Sequence, residues 1–401
     1  MVLSVIIVNY RVRYFLELCL HSVQKALSGY RSEIIVIDNH SADGSLEALR
    51  ILFPGVTFVE NAENIGFARA CNQGFRLAGG EHFLFLNPDT VLPEDFVPVC
   101  LDFLRDKPRA GGLGFRMVDG GGRFLKESRR GFPGPWVAFC KLSGLTAWFP
   151  RSRVFAGYYL GHLPADKAHP APVLSGACLL VPRSVLDETG GFDERFFMYA
   201  EDIDLSYRLE RAGYTNYYIA ETTVLHFKGE STQKDTRYVR QFYRAMSQFR
   251  RKHFTGGLPA VFNAGMEAAI WIRAGISGTV RWLRGLAGGV YRRPGPIGRL
   301  SGRIRDGVSI PAVWLTGDPG SVERLGKLLS AGKERVIVAD RAGAGEIIFC
   351  EGPAFSFKQC IAALEAAAPY RHGQKAKIYA AGGCSATGSA DPQGRGESLV
   401  F

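Results

Sequence analysis

The chain has 401 residues, of which 46% are apolar and 22% charged, so it is long enough for two domains and has a globular composition. Its eight cysteines are scattered without a C-x-x-C pair, which argues against a disulfide framework or a zinc knuckle and favours reduced thiols in the cytosol. The N-terminus lacks the positive n-region of a signal peptide, and no uncharged apolar run reaches the roughly 18 residues of a membrane span.

The formal net charge of +11 is unevenly distributed. Residues 251–310 carry ten Lys or Arg residues against two acidic ones, a net of +8, with Trp271, Trp282 and Leu283 interspersed among them. Such a segment suits a helix lying in the interface of an anionic membrane, and it equally suits an ordinary amphipathic packing helix. We therefore predict a cytoplasmic protein that has the option of peripheral contact with the inner face of the membrane.

The first part of the chain alternates strands and helices. In chain order we predict strand Leu3–Val8, a helix with Leu16, Leu20, Val23 and Leu27 on one face, strand Glu33–Asp38, helix Ala68–Ala78 and strand His82–Asn87. This alternation predicts an α/β fold with a doubly wound, mostly parallel sheet and right-handed crossovers. Ligands of such sheets bind beyond the carboxyl ends of the strands, where the polar residues Asn9, Asp38, Asn39, Asn87 and Asp89 collect.

Residues 119–172 interrupt this pattern with glycines, prolines and aromatic residues, and we predict an irregular excursion over the sheet that meets a substrate. The alternation then resumes. We predict strand Val173–Val181, a turn at Gly190–Glu194, helix Glu201–Ala212 and strand Thr215–Ala220.

Arg292–Gly298 (RRPGPIG) is typical of a linker. We accordingly divide the chain into a catalytic domain at 1–250, a basic helical segment at 251–300 and a small α/β domain at 301–401. In the last part we predict strands Ala312–Thr316, Val336–Ala339 and Glu346–Cys350, helix Phe357–Ala368 and a loop at Ala381–Gly396. Val313–Ser321 resembles a Rossmann-like strand and turn that could face a phosphate, but the full G-x-G-x-x-G is missing, and an accessory domain without a ligand is the alternative.

Three groups of residues are candidates for chemistry. Asp89, after a strand and a proline, can hold a divalent cation against a diphosphate, or it can form only an Asx-turn. Glu201, Asp202 and Asp204 begin a helix, where carboxylates favour the macrodipole, and one of them could instead deprotonate a hydroxyl. His226 follows a strand and is either a structural residue or a ligand.

The joint order of the motifs is more specific than any one of them. The chain resembles the family 2 inverting glycosyltransferases, and within them the rhamnosyltransferase-like branch, over about residues 2–235. The resemblance is carried by Asp38-Asn39, Asn64–Phe67 (NIGF), Leu86–Thr90 (LNPDT), Gly190–Glu194 (GGFDE), Tyr199–Leu205 (YAEDIDL) and His226.

This resemblance implies a GT-A fold that uses a nucleoside-diphosphate sugar. By similarity, Asp38 contacts the base or ribose, with Arg69 nearby. Asn87 and Asp89 stand where related enzymes carry the D-x-D metal motif, and His226 matches the histidine that completes the coordination of Mg²⁺ or Mn²⁺. Position 87 is Asn rather than Asp, which lowers the charge of the site; the rhamnosyltransferase-like branch commonly has this N-P-D form.

The resemblance also matches Asp202 to the catalytic base, with Glu201 and Asp204 as its neighbours. The predicted catalytic residues are thus Asp202 and Glu201. The predicted metal ligands are Asp89, His226 and Asn87. The predicted substrate-binding residues are Asn9, Asp38, Asn64, Arg69, Asn87 and Asp204.

The predicted activity is metal-dependent, inverting transfer of a sugar from dTDP-rhamnose or a UDP-sugar to a glycan or lipid-linked acceptor in cell-surface polysaccharide synthesis, with no nucleic acid as partner. One alternative is a non-catalytic nucleotide-sugar-binding scaffold, in which the carboxylates of residues 201–204 only cap a helix. The other is a nucleotidyltransferase. That class needs a Gly-rich, basic loop after the first strand, and Asn9–Arg13 contains no glycine.

Overall fold

The computed structural model describes residues 3–228, 236–253, 312–331, 337–338, 346–368, 375–388 and 397–400. Most of the basic segment, from 254 to 311, lies outside the described residues. The interfacial helix and the domain boundaries at 250 and 300 therefore stay predictions. Within the described ranges, no helix is both long enough and apolar enough to cross a membrane.

The N-terminal part contains one large mixed sheet and a small two-stranded one. Its strands are β1 (Leu3–Asn9), β2 (Ser32–Asp38), β3 (Thr57–Glu60), β4 (His82–Leu86), β5 (Thr90–Val91), β6 (Ala110–Val118), β7 (Arg129–Arg130), β8 (His169–Pro170), β9 (Val173–Leu174), β10 (Cys178–Pro182) and β11 (Thr215–His226). Its helices are α1 (Arg13–Ala26), α2 (Ser45–Leu52), α3 (Phe67–Leu77), α4 (Phe96–Asp106), α5 (Pro135–Leu142), α6 (Leu145–Trp148), α7 (Arg183–Thr189), α8 (Glu201–Arg211) and α9 (Thr236–His253).

The large sheet has the order β3-β2-β1-β4-β10-β6-β11-β5, with β8 paired to β11. The strands from β3 to β4 are parallel, as are β6 and β11, which confirms the α/β class and a mostly parallel sheet. Strand β10 runs antiparallel to both of its neighbours. The single strand predicted at Val173–Val181 is two strands, because residues 175–177 leave the ladder and line a pocket instead.

Burial on both faces of the sheet explains the continuous apolar runs. Alternate residues of β1 point to opposite sides. Val5 and Ile7 pack with α1 and α4 in one hydrophobic cluster, whereas Ile6 and Val8 pack with α3 and α7 in another. The predicted strands and helices of this region are confirmed to within a residue or two, except that the strand predicted at Thr215–Ala220 continues to His226.

The C-terminal part forms a second sheet of order β13-β12-β14-β15-β16-β17. Its elements are β12 (Ala312–Gly317), α10 (Pro319–Ala331), β13 (Ile337–Val338), β14 (Glu346–Cys350), α11 (Phe357–Ala367), β15 (Lys375–Tyr379), β16 (Ser385–Gly388) and β17 (Glu397–Val400). The loop predicted at Ala381–Gly396 was wrong for Ser385–Gly388, where small residues form a buried strand between β15 and β17.

Asp318 occupies the turn that could have faced a phosphate. Its carboxylate accepts hydrogen bonds from the backbone N–H groups of Ser321 at 2.9 Å and Ala354 at 3.0 Å. These are the kind of donors that bind a phosphate at a helix N-terminus, and here the protein's own anion uses them. The choice between a phosphate-facing turn and an accessory domain without a ligand stays a prediction.

The two sheets share a hydrophobic cluster. Phe15, Leu225 and Phe227 of the N-terminal part pack with Phe357 and Ile361 of α11. Glu94 accepts hydrogen bonds from the backbone N–H groups of Phe357 at 2.7 Å and Lys358 at 2.9 Å, so a residue of the N-terminal part caps a C-terminal helix. The C-terminal sheet is thus packed beside the end of β11.

Candidate active site

A pocket of about 280 Å³ lies at the carboxyl ends of the central strands. Its apolar walls include Val8, Phe67 and Met117. Five of the residues predicted for catalysis, metal binding or substrate binding line it together, although they come from distant parts of the chain. They are Asn64, Asn87, Glu201, Asp202 and His226.

Strand pairing places His226 beside Asp89. The end of β11 pairs with β5 so that His226 lies opposite Thr90, and the Phe227 N–H donates to the Asp89 carbonyl at 3.0 Å. His226 Nε2 is 3.3 Å from Asp89 Oδ1, and the two residues are 8% and 3% exposed. Among the described residues, neither Asp89 Oδ1 nor His226 Nδ1 has a hydrogen-bond partner.

Buried polar atoms normally have hydrogen-bond partners, so Asp89 and His226 are suited to bind a ligand. A carboxylate oxygen and an imidazole nitrogen are ligands that Mn²⁺ accepts, and Asn87 lines the same pocket. No group of three or more His, Cys, Asp or Glu residues able to hold a metal occurs in the described part of the chain. The binding of a metal by Asp89, His226 and Asn87 therefore stays a prediction.

Asp202 is held by Arg130. The Asp202 carboxylate accepts a hydrogen bond from the Arg130 guanidinium and another from the Gly176 N–H at 3.2 Å. Both side chains of the ion pair are 13% exposed. Burial alone would lower the pKa of Arg130, but the charge of Asp202 and contact with Tyr158 raise it above its usual value.

Glu201 has different surroundings from its neighbour Asp202. It is 7% exposed, and its Oε2 has no hydrogen-bond partner among the described residues. Burial, together with the charge of Asp202, raises the pKa of Glu201 to about 8. The turn before α8 places both carboxyl groups in the pocket through two left-handed residues, Tyr199 and Ala200, with φ of 71° and 64°.

Asn9 and Asp38 form a buried network next to the pocket. Asn9 Nδ2 donates to Asp38 Oδ1 at 2.7 Å, and Asp38 also accepts from the Ser41 N–H and hydroxyl. Neither residue lines the pocket, whereas Asn39 does. The predicted contact of Asp38 with a base or ribose stays a prediction, and its visible role is to shape the loop after β2.

Two further predicted substrate-binding residues, Arg69 and Asp204, lie outside the pocket lining. Arg69 has a side chain 58% exposed and lies 3.7 Å from Glu194. Asp204 is fully buried and binds Arg208 at 2.8 Å, Lys252 at 2.6 Å and His253 at 2.6 Å. Burial would raise the pKa of Asp204, but these hydrogen bonds lower it. Because its oxygens bind these three residues, Asp204 does not face the pocket, and its contacts are structural.

The cationic side of the pocket was not predicted from the sequence. Arg130 and Lys228 line it, and Lys228 Nζ binds Glu127 Oε1 at 2.7 Å. Arg130 and Glu127 belong to the irregular stretch 119–172, where no strand or helix period indicates which side chains point inward. Glu127 and Arg130 of this stretch line the pocket, and the prediction that the stretch meets the acceptor stays a prediction.

Comparisons with known proteins identify the family of the chain. The family model described as glycosyl transferase family 2 matches residues 4–190. The N-acetylglucosaminyl-diphospho-decaprenol L-rhamnosyltransferase of Mycobacterium tuberculosis is 33% identical over 246 residues, which are 58% of this chain and 78% of that protein. The rhamnosyltransferase WbbL of Escherichia coli is 28% identical over 156 residues, 38% of this chain and 54% of that protein.

Among solved structures, the mannosyltransferase PcManGT of Pyrobaculum calidifontis, in complex with GDP-Man and Mn²⁺, is 18% identical with a TM-score of 0.45, covering 72% of this chain and 76% of that one. The mixed α/β sheet of the N-terminal part has the GT-A fold of glycosyltransferases. The chain belongs to glycosyltransferase family 2, in which it is rhamnosyltransferase-like. It is a hexosyltransferase.

Proposed function

We propose that this enzyme transfers a sugar from a nucleoside-diphosphate sugar to a hydroxyl group, with inversion at the anomeric carbon. The observation that supports this is the convergence of Asp202 and His226, the neighbour of Asp89, on one pocket of about 280 Å³. That volume approaches the lower end of the range for ligand pockets, which begins at about 300 Å³.

In this proposal Asp202 accepts the proton of the acceptor hydroxyl as its oxygen attacks the anomeric carbon. The bond from that carbon to the diphosphate breaks on the opposite face, so a single displacement inverts the configuration. Arg130 orients the carboxylate through its guanidinium, and Gly176 N–H holds the same oxygen.

The residues that would hold Mg²⁺ or Mn²⁺ are Asp89, His226 and Asn87. A divalent cation, when bound, supplies positive charge that stabilises the departing diphosphate. The unpartnered Asp89 Oδ1 and its nearness to an imidazole nitrogen support this assignment.

The names of the relatives bear on the substrates. The relative from M. tuberculosis is named for transfer of L-rhamnose to a lipid-linked N-acetylglucosaminyl diphosphate. By analogy, the donor proposed here is dTDP-rhamnose, or failing that a UDP-sugar, and the acceptor is a lipid-linked glycan at the inner face of the cytoplasmic membrane. The product would enter cell-surface polysaccharide synthesis.

The full chain should be tested for nucleoside diphosphate release from a panel of sugar donors, with and without Mn²⁺. The proposal expects metal-stimulated release from one donor, faster with a lipid-linked acceptor. A chain that binds a nucleotide sugar but releases no diphosphate with any donor and acceptor would instead be the binding scaffold.

The metal assignment has its own test in binding. Asp89→Ala should abolish the increase that Mn²⁺ brings to nucleoside diphosphate affinity, because the cation loses a carboxylate ligand. Calorimetric titration with Mn²⁺ and with EDTA measures this, and Asp102→Ala, an exposed change on α4, is the matched control. Equal Mn²⁺ stimulation in Asp89→Ala and the parent would overturn the assignment.

A further inference from the structure

A second cavity, of about 420 Å³, lies beside the first and shares Met198 with it. One wall is the loop that leads into α8 and the catalytic carboxylates. The other wall is one face of α9. The lining residues that matter here are Arg195, Phe197, Met198, Gln241, Arg244 and Gln248.

The last turn of α9 is anchored to α8. Lys252 Nζ binds Asp204 at 2.6 Å and Asp193 at 2.7 Å, and His253 Nε2 lies 2.6 Å from Asp204 Oδ1. Phe249 of α9 is buried in a hydrophobic cluster with Ala200, directly before Glu201. These contacts fix α9 against the helix that carries the catalytic pair.

The remaining face of α9 presents polar residues to the cavity. Gln241, Arg244 and Gln248 are three and four residues apart, which is the spacing of one helix face. Gln248 Nε2 donates to the Arg195 carbonyl at 3.3 Å and so joins the two walls. The cavity is therefore a formed cleft between two fixed elements.

The cleft carries surplus positive charge. Arg195 donates to both carboxylate oxygens of Asp193, from Nε to Oδ1 at 3.0 Å and from Nη2 to Oδ2 at 2.6 Å. Lys252 Nζ binds the same carboxylate at 2.7 Å, so two cations share one negative charge. Arg244 is exposed and has no ion pair within the described part of the chain. Guanidinium groups are planar forks that match phosphate oxygens, so the charge and the geometry favour a phosphate-bearing ligand.

The cleft also has an apolar side. Phe197 is 45% exposed, and Met198 lies next to it in the lining. A fully polar anion would leave these surfaces in contact with water. A ligand with a hydrocarbon chain attached to its phosphate would cover them.

We propose that this cleft binds the diphosphate of a prenyl-type lipid-linked acceptor, with Arg244 on the phosphate oxygens, the charge of Arg195 beside them and Phe197 on the first part of the hydrocarbon chain. This inference rests on the proposed function, since it names the class of acceptor. Met198 lines both the cleft and the pocket in which Asp202 would accept the proton of the acceptor hydroxyl.

Binding should be measured on the full chain by titration with farnesyl diphosphate and, separately, with inorganic pyrophosphate, both in saturating UDP to block the donor pocket. Arg244→Gln should weaken farnesyl diphosphate binding about tenfold, through the loss of charge-assisted hydrogen bonds. Arg105→Gln, an exposed arginine on α4 that is paired with Asp102, is the matched control and should change nothing. Arg244→Lys, which keeps the charge without the fork, should fall between the parent and Arg244→Gln.

Unchanged affinity in Arg244→Gln would overturn the site, and so would the loss of farnesyl diphosphate binding when UDP is saturating. Pyrophosphate binding as tight as that of farnesyl diphosphate would overturn the lipid assignment. The titration requires no catalytic turnover, so the proposed acceptor cleft can be tested independently of the proposed transfer reaction. Absence of diphosphate release from every donor would remove the catalytic proposal, while an effect of Arg244→Gln on binding would leave the cleft in place.

Discussion

At the scale of single residues, the adjacent carboxyl groups of Glu201 and Asp202 have been given different environments. Asp202 is neutralised by Arg130 and receives a backbone N–H, whereas Glu201 Oε2 is buried without a hydrogen-bond partner among the described residues. Pairs of carboxyl groups whose surroundings differ in this way are common where one group must take a proton and the other must not.

Replacement of Asp202 tests the catalytic role most directly. Asp202→Asn should reduce diphosphate release by at least about 10²-fold, since a positioned base contributes on the order of 10²–10⁴. Nucleotide binding, measured by titration, should persist because the amide keeps the shape of the carboxyl group. Asp102→Asn is the exposed control. Loss of binding together with turnover would assign Asp202 a structural role.

Glu201 gives a prediction about pH. Its raised pKa means that the folded protein holds a proton that the unfolded chain releases at about 4.5. Its stabilising contribution is therefore complete below about pH 4.5 and is lost as the pH rises through about 8. Glu201→Gln, which cannot ionise, should show a smaller fall in the free energy of unfolding across this range.

Urea unfolding at a series of pH values between 5 and 8.5, chosen to lie roughly within this window, measures the effect. The exposed Glu60→Gln is the matched control and should follow the parent protein. Identical pH dependence in Glu201→Gln and the parent would mean that the burial of Glu201 does not shift its titration.

At the scale of elements, α9 is joined to α8 through one buried carboxylate. Asp204 binds Arg208 from its own helix and Lys252 and His253 from α9. This connection explains why an acidic residue in the motif of the catalytic helix does not reach the pocket. The carboxylate neutralises cations that would otherwise be only partly paired at a buried junction.

Asp204→Asn should therefore destabilise the protein by about 3 kcal/mol, the typical cost of leaving buried partners unpaired. Because the pKa of Asp204 is lowered, its contribution is present above the pKa of the unfolded carboxyl group and is lost as the pH falls through the folded pKa. Denaturant unfolding at neutral and acidic pH measures both effects. A variant with normal stability but weak donor binding would restore the substrate-binding role.

At the scale of the whole molecule, the C-terminal sheet supports the strand that ends at His226. Leu225 and Phe227, on either side of His226, are buried in the cluster formed with α11. Arg116 of β6 also binds Glu365 of α11 at 2.6 Å. The described residues of the C-terminal part thus pack against the strand that carries His226.

Gly122 provides a test of this packing. Its φ is 76°, and a Cβ there would lie 2.2 Å from the Leu364 carbonyl oxygen, a backbone atom of α11. Gly29 has a similar φ of 83° but no atom within 4 Å of a Cβ. Both alanine variants carry the same backbone strain, so the difference between them isolates the contact between the two parts.

Gly122→Ala should lower the free energy of unfolding by about 1–3 kcal/mol more than Gly29→Ala does, which is the usual cost of overpacking. Thermal and urea unfolding measure the difference, and Mn²⁺-dependent nucleotide binding should weaken in the first variant alone. Equal stability of the two variants would show that the two parts do not pack against each other in solution.

The sequence by itself determined the elements and the identity of the chemistry. Runs such as Leu3–Val8 and Glu346–Cys350 are short and rich in β-branched or aromatic apolar residues, which favours strands buried on both faces. The ordered motifs around Asp89, Asp202 and His226 were enough to identify the family. These signals are local, since each depends on the residue types within a few positions.

Only the tertiary structure decided which polar residues face the pocket and which are used inside the protein. Asp202 and Asp204 are two positions apart, yet one lines the cavity and the other lies buried against Arg208, Lys252 and His253. Arg130 lies in an irregular stretch without a period and acquires its role only by meeting Asp202, 72 residues away. The direction and pairing of a side chain depend on contacts between distant segments, and those contacts exist only once the chain has folded.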